Sequence, residues 1–187
     1  MILYWSCLSK PGFEKSNLVT TIERWGPDFE ISFKLKVNKM PPSGPWHSVL
    51  QMTTGQFCCW AGTRIPGVWL FASYGKPILH TSIAMTRDAK AGNFELELNK
   101  VYTVLLTQKG GTFKVTVDGS VVWQHQTGIA SEPFTDVKYY LSNPSNPSAG
   151  DLAQITTPLL ASPQQWDGQW DGMGQRKLIP DTDDDYY

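Results

Sequence analysis

The stretch Phe113-Lys-Val-Thr-Val-Asp-Gly-Ser-Val-Val-Trp-Gln124 decides the reading of this chain, because two runs of β-type residues flank an Asp-Gly step. Asp118-Gly119 is a strong type I′ hairpin signal: both central residues need φ > 0, which Gly tolerates freely and Asp better than most. Counting outward from the turn, Phe113, Val115, Val117 and Val122 share one face, and Lys114, Thr116, Val121 and Trp123 the other. Such a hairpin points to an all-β domain.

The rest of the chain repeats this kind of segment. From Asp28 to Asn38, Phe29, Ile31, Phe33, Leu35 and Val37 alternate with Glu30, Ser32, Lys34 and Lys36, a strand with one core face and one wet face. Met40-Pro-Pro-Ser-Gly-Pro45 breaks the chain, and β character resumes over Trp46–Thr54. Val68–Ala72, Ile78–Met85, Phe94–Leu98, Val101–Lys109, the hairpin, Lys138–Ser142 and Asp151–Thr157 follow, each bounded by Gly, Pro, Asn or Asp. Around ten strands on short turns, with no sustained helical period, predict a two-sheet antiparallel β-sandwich with little helix. The expected organisation is an N-terminal extension over residues 1–17, the sandwich over 18–157 and a flexible tail over 158–187.

Composition supports a real core: 41% of the 187 residues are hydrophobic, with eight Trp and eight Phe. The net charge of −1 and the lack of a basic stripe interleaved with aromatics argue against a nucleic-acid partner. No apolar run reaches the roughly 18 residues of a spanning helix, so no membrane span is expected. Met1-Ile-Leu-Tyr-Trp-Ser-Cys-Leu8 is short and lacks a basic n-region, so no secretory signal is visible. Cys7, Cys58 and Cys59 make an odd count. Neighbouring strand residues point to opposite faces, so a Cys58–Cys59 bridge would strain the backbone, and Cys7 bridged to one of the pair is the expected disulfide. Zinc is a poor reading, since there is no Cys-x-x-Cys and His47, His80 and His125 lack ligand spacing.

Trp25-Gly-Pro-Asp-Phe-Glu-Ile-Ser-Phe33, Cys58-Cys59 followed by Arg64-Ile-Pro-Gly-Val68, the Asp118-Gly119 hairpin and Val137-Lys-Tyr-Tyr-Leu-Ser-Asn-Pro144 together resemble the laminin G-like, concanavalin A-like sandwich modules of animal extracellular matrix and adhesion proteins. Some similar modules occur in invertebrate shell-matrix proteins. The resemblance spans roughly Leu18 to Ile155 and implies a jelly roll, an extracellular location, and a glycan or matrix-protein partner. It also implies calcium as a cofactor held at the sandwich rim, for which Asp118 and Asp151 could supply oxygens. The chain departs from the pattern in having Leu79-His-Thr-Ser82 and no later Cys after Arg64-Ile-Pro66, and in carrying Asn143 and Ser145 where similar modules often place Asp and an aromatic.

Sandwich glycosidases use the same architecture, so catalysis has to be weighed. They need two carboxylates flanking the scissile bond. Glu95 and Glu97 are the nearest candidates, on one strand face of Phe94-Glu-Leu-Glu-Leu98, but the strand lacks a third acid and reads as a solvated face opposite Phe94, Leu96 and Leu98. No Gly-x-Ser-x-Gly and no phosphate loop occur, and Gly110-Gly111 reads as a hairpin turn. No catalytic residue is assigned, and the expectation is a protein that is not an enzyme. Trp60, Arg64 and Trp69 are the candidate ligand-binding residues, because an aromatic beside a guanidinium suits stacking on a sugar face while donating to its oxygens. In the tail, Gln165-Trp-Asp-Gly-Gln-Trp-Asp-Gly172 repeats a tetrapeptide and Asp181-Thr-Asp-Asp-Asp-Tyr-Tyr187 clusters acids, a composition suited to a solvated linker or to weak self-association.

Overall fold

The computed structural model describes residues 17–55, 60–86, 89–128, 130, 133–150, 152–155, 159–161, 166–170 and 176–178. The expected bridge of Cys7 to Cys58 or Cys59 and the candidate oxygen ligand Asp151 lie outside these residues.

The hairpin forms where its turn chemistry demands. Strands β8 (Thr112–Val117) and β9 (Ser120–Gln126) pair antiparallel around Asp118 and Gly119, at φ 48° and 82°. Upstream lie β1 (Asn17–Trp25), β2 (Phe29–Val37), β3 (His47–Thr53), β4 (Gly67–Ser73), β5 (Lys76–Ile83), β6 (Lys90–Glu95) and β7 (Val101–Lys109). Downstream lie β10 (Phe134–Ser142), β11 (Ala153–Ile155), β12 (Leu159–Ala161), β13 (Trp166–Trp170) and β14 (Arg176–Leu178). One six-stranded sheet runs β1-β10-β3-β4-β5-β6, and the other runs β11-β2-β7-β8-β9 with β12 also paired to β2. Every pairing between these strands is antiparallel, an isolated parallel bridge joins Ser48 to Ser148, and no helix occurs among the described residues. The fold is an all-β, two-sheet antiparallel sandwich.

The core follows from the alternation. Phe29, Ile31, Phe33, Leu35 and Val37 of β2 are buried while Glu30 and Lys34 are exposed. Ladder register extends this into rows across the second sheet: Phe33 with Val104 and Val117, and Ile31 with Leu106, Val115 and Trp123. Leu50, Met52, Val68, Leu70 and Leu79 of the first sheet pack in the same buried cluster.

Two expectations need correction. Trp123 lies on the core side of β9, because the register skips Val122 between the Thr116–Val121 and Val115–Trp123 pairs. The extra residue is a β-bulge, which reverses facing along the strand. The indole then projects toward β6, where it lies against Gly92; a Cβ at that glycine would stand 2.2 Å from Trp123 Cγ. Strand β6 occupies Lys90–Glu95 in place of Phe94–Leu98, so Leu98 falls in the following turn at 43% exposure and is not core. Towards the C-terminus Leu159–Ala161 pairs with Ser32–Glu30, and β13 pairs with β14 as a separate two-stranded sheet.

Candidate functional site

Strands β4 and β5 position the site. They are joined by the two-residue turn Tyr74-Gly75, at φ 48° and 74°, which sets Trp69 opposite His80 and Leu70 opposite Leu79. Because side chains alternate, Val68, Leu70 and Leu79 face the core while Trp69, Phe71 and His80 face outward. In the next ladder His80 stands opposite Asn93 of β6, whose Oδ1 lies 2.7 Å from His80 Nδ1.

This outward face is roofed. Trp46, just after the Pro-Pro-Ser-Gly-Pro break, stacks on Phe71 with ring centroids 5.3 Å apart at 12°, and lies 4.2 Å from His80 and 6.3 Å from Trp69. Trp46 itself is 37% exposed, while Trp69 and His80 are buried beneath it. Gly67 leaves the room Trp69 needs: a Cβ there would sit 2.1 Å from the indole. The Trp69 Nε1–H donates to Asn146 Oδ1 at 3.2 Å. Asn143 donates to Asn146 Oδ1 and to Gln51 Oε1, and Gln51 donates to the Thr63 carbonyl at 2.7 Å. This buried chain of amides fixes the platform from one side, each member satisfied by the next.

Arg64 is placed by the backbone. Ile65 N donates to Met52 O, Ala84 N to Arg64 O, and Thr54 N to Gly62 O, so the segment runs between the ends of β3 and β5. The guanidinium carbon lies 4.8 Å from the Trp69 ring centroid, and Nη1 donates to Ser82 Oγ at 3.2 Å. Burial holds the Arg64 pKa below its ordinary value. The His80 pKa is also lowered, chiefly by burial, with the Asn93 hydrogen bond opposing and the Arg64 charge reinforcing the shift. The imidazole is therefore favoured in its neutral form.

Of the three residues singled out in the sequence, the structure brings Arg64 and Trp69 together and leaves Trp60 at the start of the same loop, 66% exposed. Trp46, Phe71, His80 and Asn93 were not anticipated. A signal was present: a Ser-Tyr-Gly-Lys step between two β runs is a two-residue hairpin, and counting outward from it puts Trp69 across from His80.

Glu95, Glu97 and Asp118 each have a partner within the fold. Glu95 pairs with Lys76 across the β5–β6 ladder, and Glu97 pairs with Lys100 at 2.8 Å. The Lys100 hydrogen bond and charge lower the Glu97 pKa, opposite to what a general acid requires. Asp118 Oδ1 accepts from Thr103 N at 2.8 Å, tying the hairpin turn to β7. Among the described residues no group of three or more His, Cys, Asp or Glu could hold a metal ion.

No family model matches the chain, and no curated protein matches it. Solved structures share its fold. The receptor binding domain of botulinum neurotoxin D is 14% identical with a TM-score of 0.55, the match covering 80% of this chain and 39% of that one. The ligand binding domain of serotype D in complex with N-acetylneuraminic acid is 13% identical with a TM-score of 0.55, covering 78% and 35%. A native heptameric SAP-like pentraxin from Limulus polyphemus is 13% identical with a TM-score of 0.54, covering 81% and 73%. The chain thus spans well under half of the toxin domains it matches. These likenesses establish a shared two-sheet β-sandwich fold and nothing narrower.

Proposed function

We propose that this protein is a non-catalytic recognition module that binds glycan or a matrix partner through the outward face of its six-stranded sheet, in the manner of an extracellular adhesion domain. The observation that carries the reading is the platform itself: the Arg64 guanidinium over Trp69, with His80, Phe71 and Trp46 packed beside it. Aromatic faces stack on the C–H face of a sugar, and the polar groups between them fix its orientation. The two carboxylates that a glycosidase reading would need are each held by their own lysine. A further support is the partner chemistry of the serotype D toxin domain of like fold, which was crystallised with a sugar acid.

The test is a glycan and matrix-protein array probed with the full chain, in the presence of calcium and of chelator, with polysaccharide turnover assayed in parallel. Saturable binding that is weakened by Arg64→Ala, without product formation, is the expected result. Hydrolysis of any polysaccharide, or binding unaffected by changes anywhere on the outward face, overturns the reading. Calcium is varied because Asp118 lies at an exposed turn; an unchanged affinity in chelator removes calcium from the proposal.

A further inference from the structure

One feature of the platform is left unused by its own packing. His80 is 6% exposed, its Nδ1 is taken by Asn93 Oδ1 at 2.7 Å, and its Nε2 is buried with no hydrogen-bond partner. Pairing with a carbonyl oxygen puts the proton on Nδ1 and makes Nε2 an acceptor. A buried acceptor without a donor has given up its hydrogen bonds to water and received none in return. The imidazole is packed by the Trp46 indole, ring centroids 4.2 Å apart, which follows the Pro-rich break and is still 37% exposed. The rings of Trp69 and Phe71 also pack on the imidazole, with centroids 5.8 and 6.4 Å from its own.

We propose that Trp46 is a movable roof over a saccharide subsite, in which a neutral hexopyranoside donates one hydroxyl to His80 Nε2 and lays its C–H face on the Trp46 and Phe71 rings. This rests on the glycan reading above and names its contact atoms. The occupant must bring a donor, since a neutral Nε2 can only accept, and must bring apolar C–H surface, since the surrounding walls are aromatic. A pyranose carries both on one rigid ring. An extended peptide fits less well: β4 and β5 are interior strands with both edges paired, so it finds no open backbone edge beside His80. Asn93 on β6 engages Nδ1 and the Arg64 guanidinium lies over Trp69, while Nε2 has no hydrogen-bond partner in this packing.

The experiment uses the full chain, labelled with ¹⁵N at histidine, titrated separately with methyl β-D-glucopyranoside, methyl β-D-galactopyranoside and methyl α-D-mannopyranoside into the millimolar range. With at least one probe, the His80 Nε2 resonance is expected to move from the position of an unbonded acceptor toward that of a bonded one, with saturation and a parallel change in Trp46 fluorescence. Trp46→Ala is expected to weaken that probe at least about tenfold, while Trp46→Phe, which keeps a ring in place, retains most of the affinity. Val121→Ala, exposed on β9 of the other sheet, leaves it unchanged. The proposal is overturned if Nε2 carries the proton in the free protein, or if no probe moves its resonance. It is equally overturned if the shift is present before any sugar is added, as for a resident water, or if a bound probe is insensitive to Trp46→Ala and sensitive to Trp60→Ala. In that last case glycan binding survives and only this subsite fails. Array binding to proteins alone, with no glycan bound, removes both.

Discussion

Tyr139 carries the sharpest anomaly of the interior. Its phenol lies 3% exposed in the main cluster with no hydrogen-bond partner for the hydroxyl, and burial pushes its pKa far above the usual phenol range. The hydroxyl gives up its water hydrogen bonds on folding and receives nothing in return, so Tyr139→Phe should leave stability unchanged or raise it by up to about 1 kcal/mol. A loss above about 1 kcal/mol in urea denaturation would mean the hydroxyl has a partner after all. His80 makes a second test at this scale. Its pKa is lowered in the folded state, chiefly by burial, so below the ordinary value near 6.5 the unfolded chain takes up a proton that the folded protein resists. More protons on the unfolded state means stability that rises with pH, so the contribution is complete above about pH 6.5 and is lost as the pH falls below it. The denaturation midpoint should fall between about pH 7 and pH 5 in the native chain and fall less in His80→Gln; equal slopes would place the imidazole in solvent. Residue identities of this kind were only partly legible in the sequence. Trp69 reads as a large aromatic in a strand, but whether it faces core or roof depends on the Tyr74-Gly75 turn, and Trp46 reads only as the residue that ends a proline-rich break.

At the scale of elements, alternation was legible wherever a strand has one wet face and opaque elsewhere. Strand β2 alternates along its whole length and was predicted to within a residue at each end. Strand β3 is buried at every position, so its sequence carries no period to read, and its outward residues are hidden by the roof and the amide chain in place of solvent. Strand β1 is the opposite case: an exposed edge strand with register shifts at Leu18, whose apolar residues follow no period, and it went unpredicted. The hairpin turn is legible in the sequence and the bulge at Val122 is not, because nothing in Ser120-Val-Val-Trp123 distinguishes a regular strand from a bulged one. Gly92 was the available clue, since a glycine inside a strand often marks the close approach of another group. Here the approaching group is the Trp123 indole from the opposite sheet. Gly92→Ala should therefore cost about 1–3 kcal/mol, the range for overpacking a filled site. Combining it with Trp123→Leu should recover part of the loss. A neutral effect of Gly92→Ala alone would put Trp123 on the outer face, where unbroken alternation places it.

For the whole molecule, the two-sheet architecture was legible because short β runs on tight turns have few other ways to bury their apolar faces. The sheet order was not, since which strands neighbour one another depends on connections across the sandwich that leave no local mark. The C-terminal boundary shows the difference. Composition places it near residue 157, where Pro, Gly and Asp become frequent, yet β11 and β12 together form one interrupted edge strand along β2, Ala153–Ile155 pairing with Val37–Leu35 and Leu159–Ala161 with Ser32–Glu30. Beyond it, β13 and β14 pair with each other. These pairings assign different roles to two truncations. A chain ending at Ala161 keeps both halves of the edge and should unfold at the denaturant concentration of the full chain. A chain ending at Ile155 strips the Glu30–Ser32 backbone of its partners on that side, a loss of one or two ladder hydrogen bonds that should cost on the order of 1–3 kcal/mol. If the tail adds a weak second contact between molecules, its removal at Ala161 should lower self-association or adhesion while the midpoint stays fixed, because such a contact acts through effective concentration and not through the fold. A lowered midpoint for the chain ending at Ala161 would instead make the Trp-Asp-Gly repeat part of the folded body, and would overturn the separation of recognition by the sandwich from avidity by the tail.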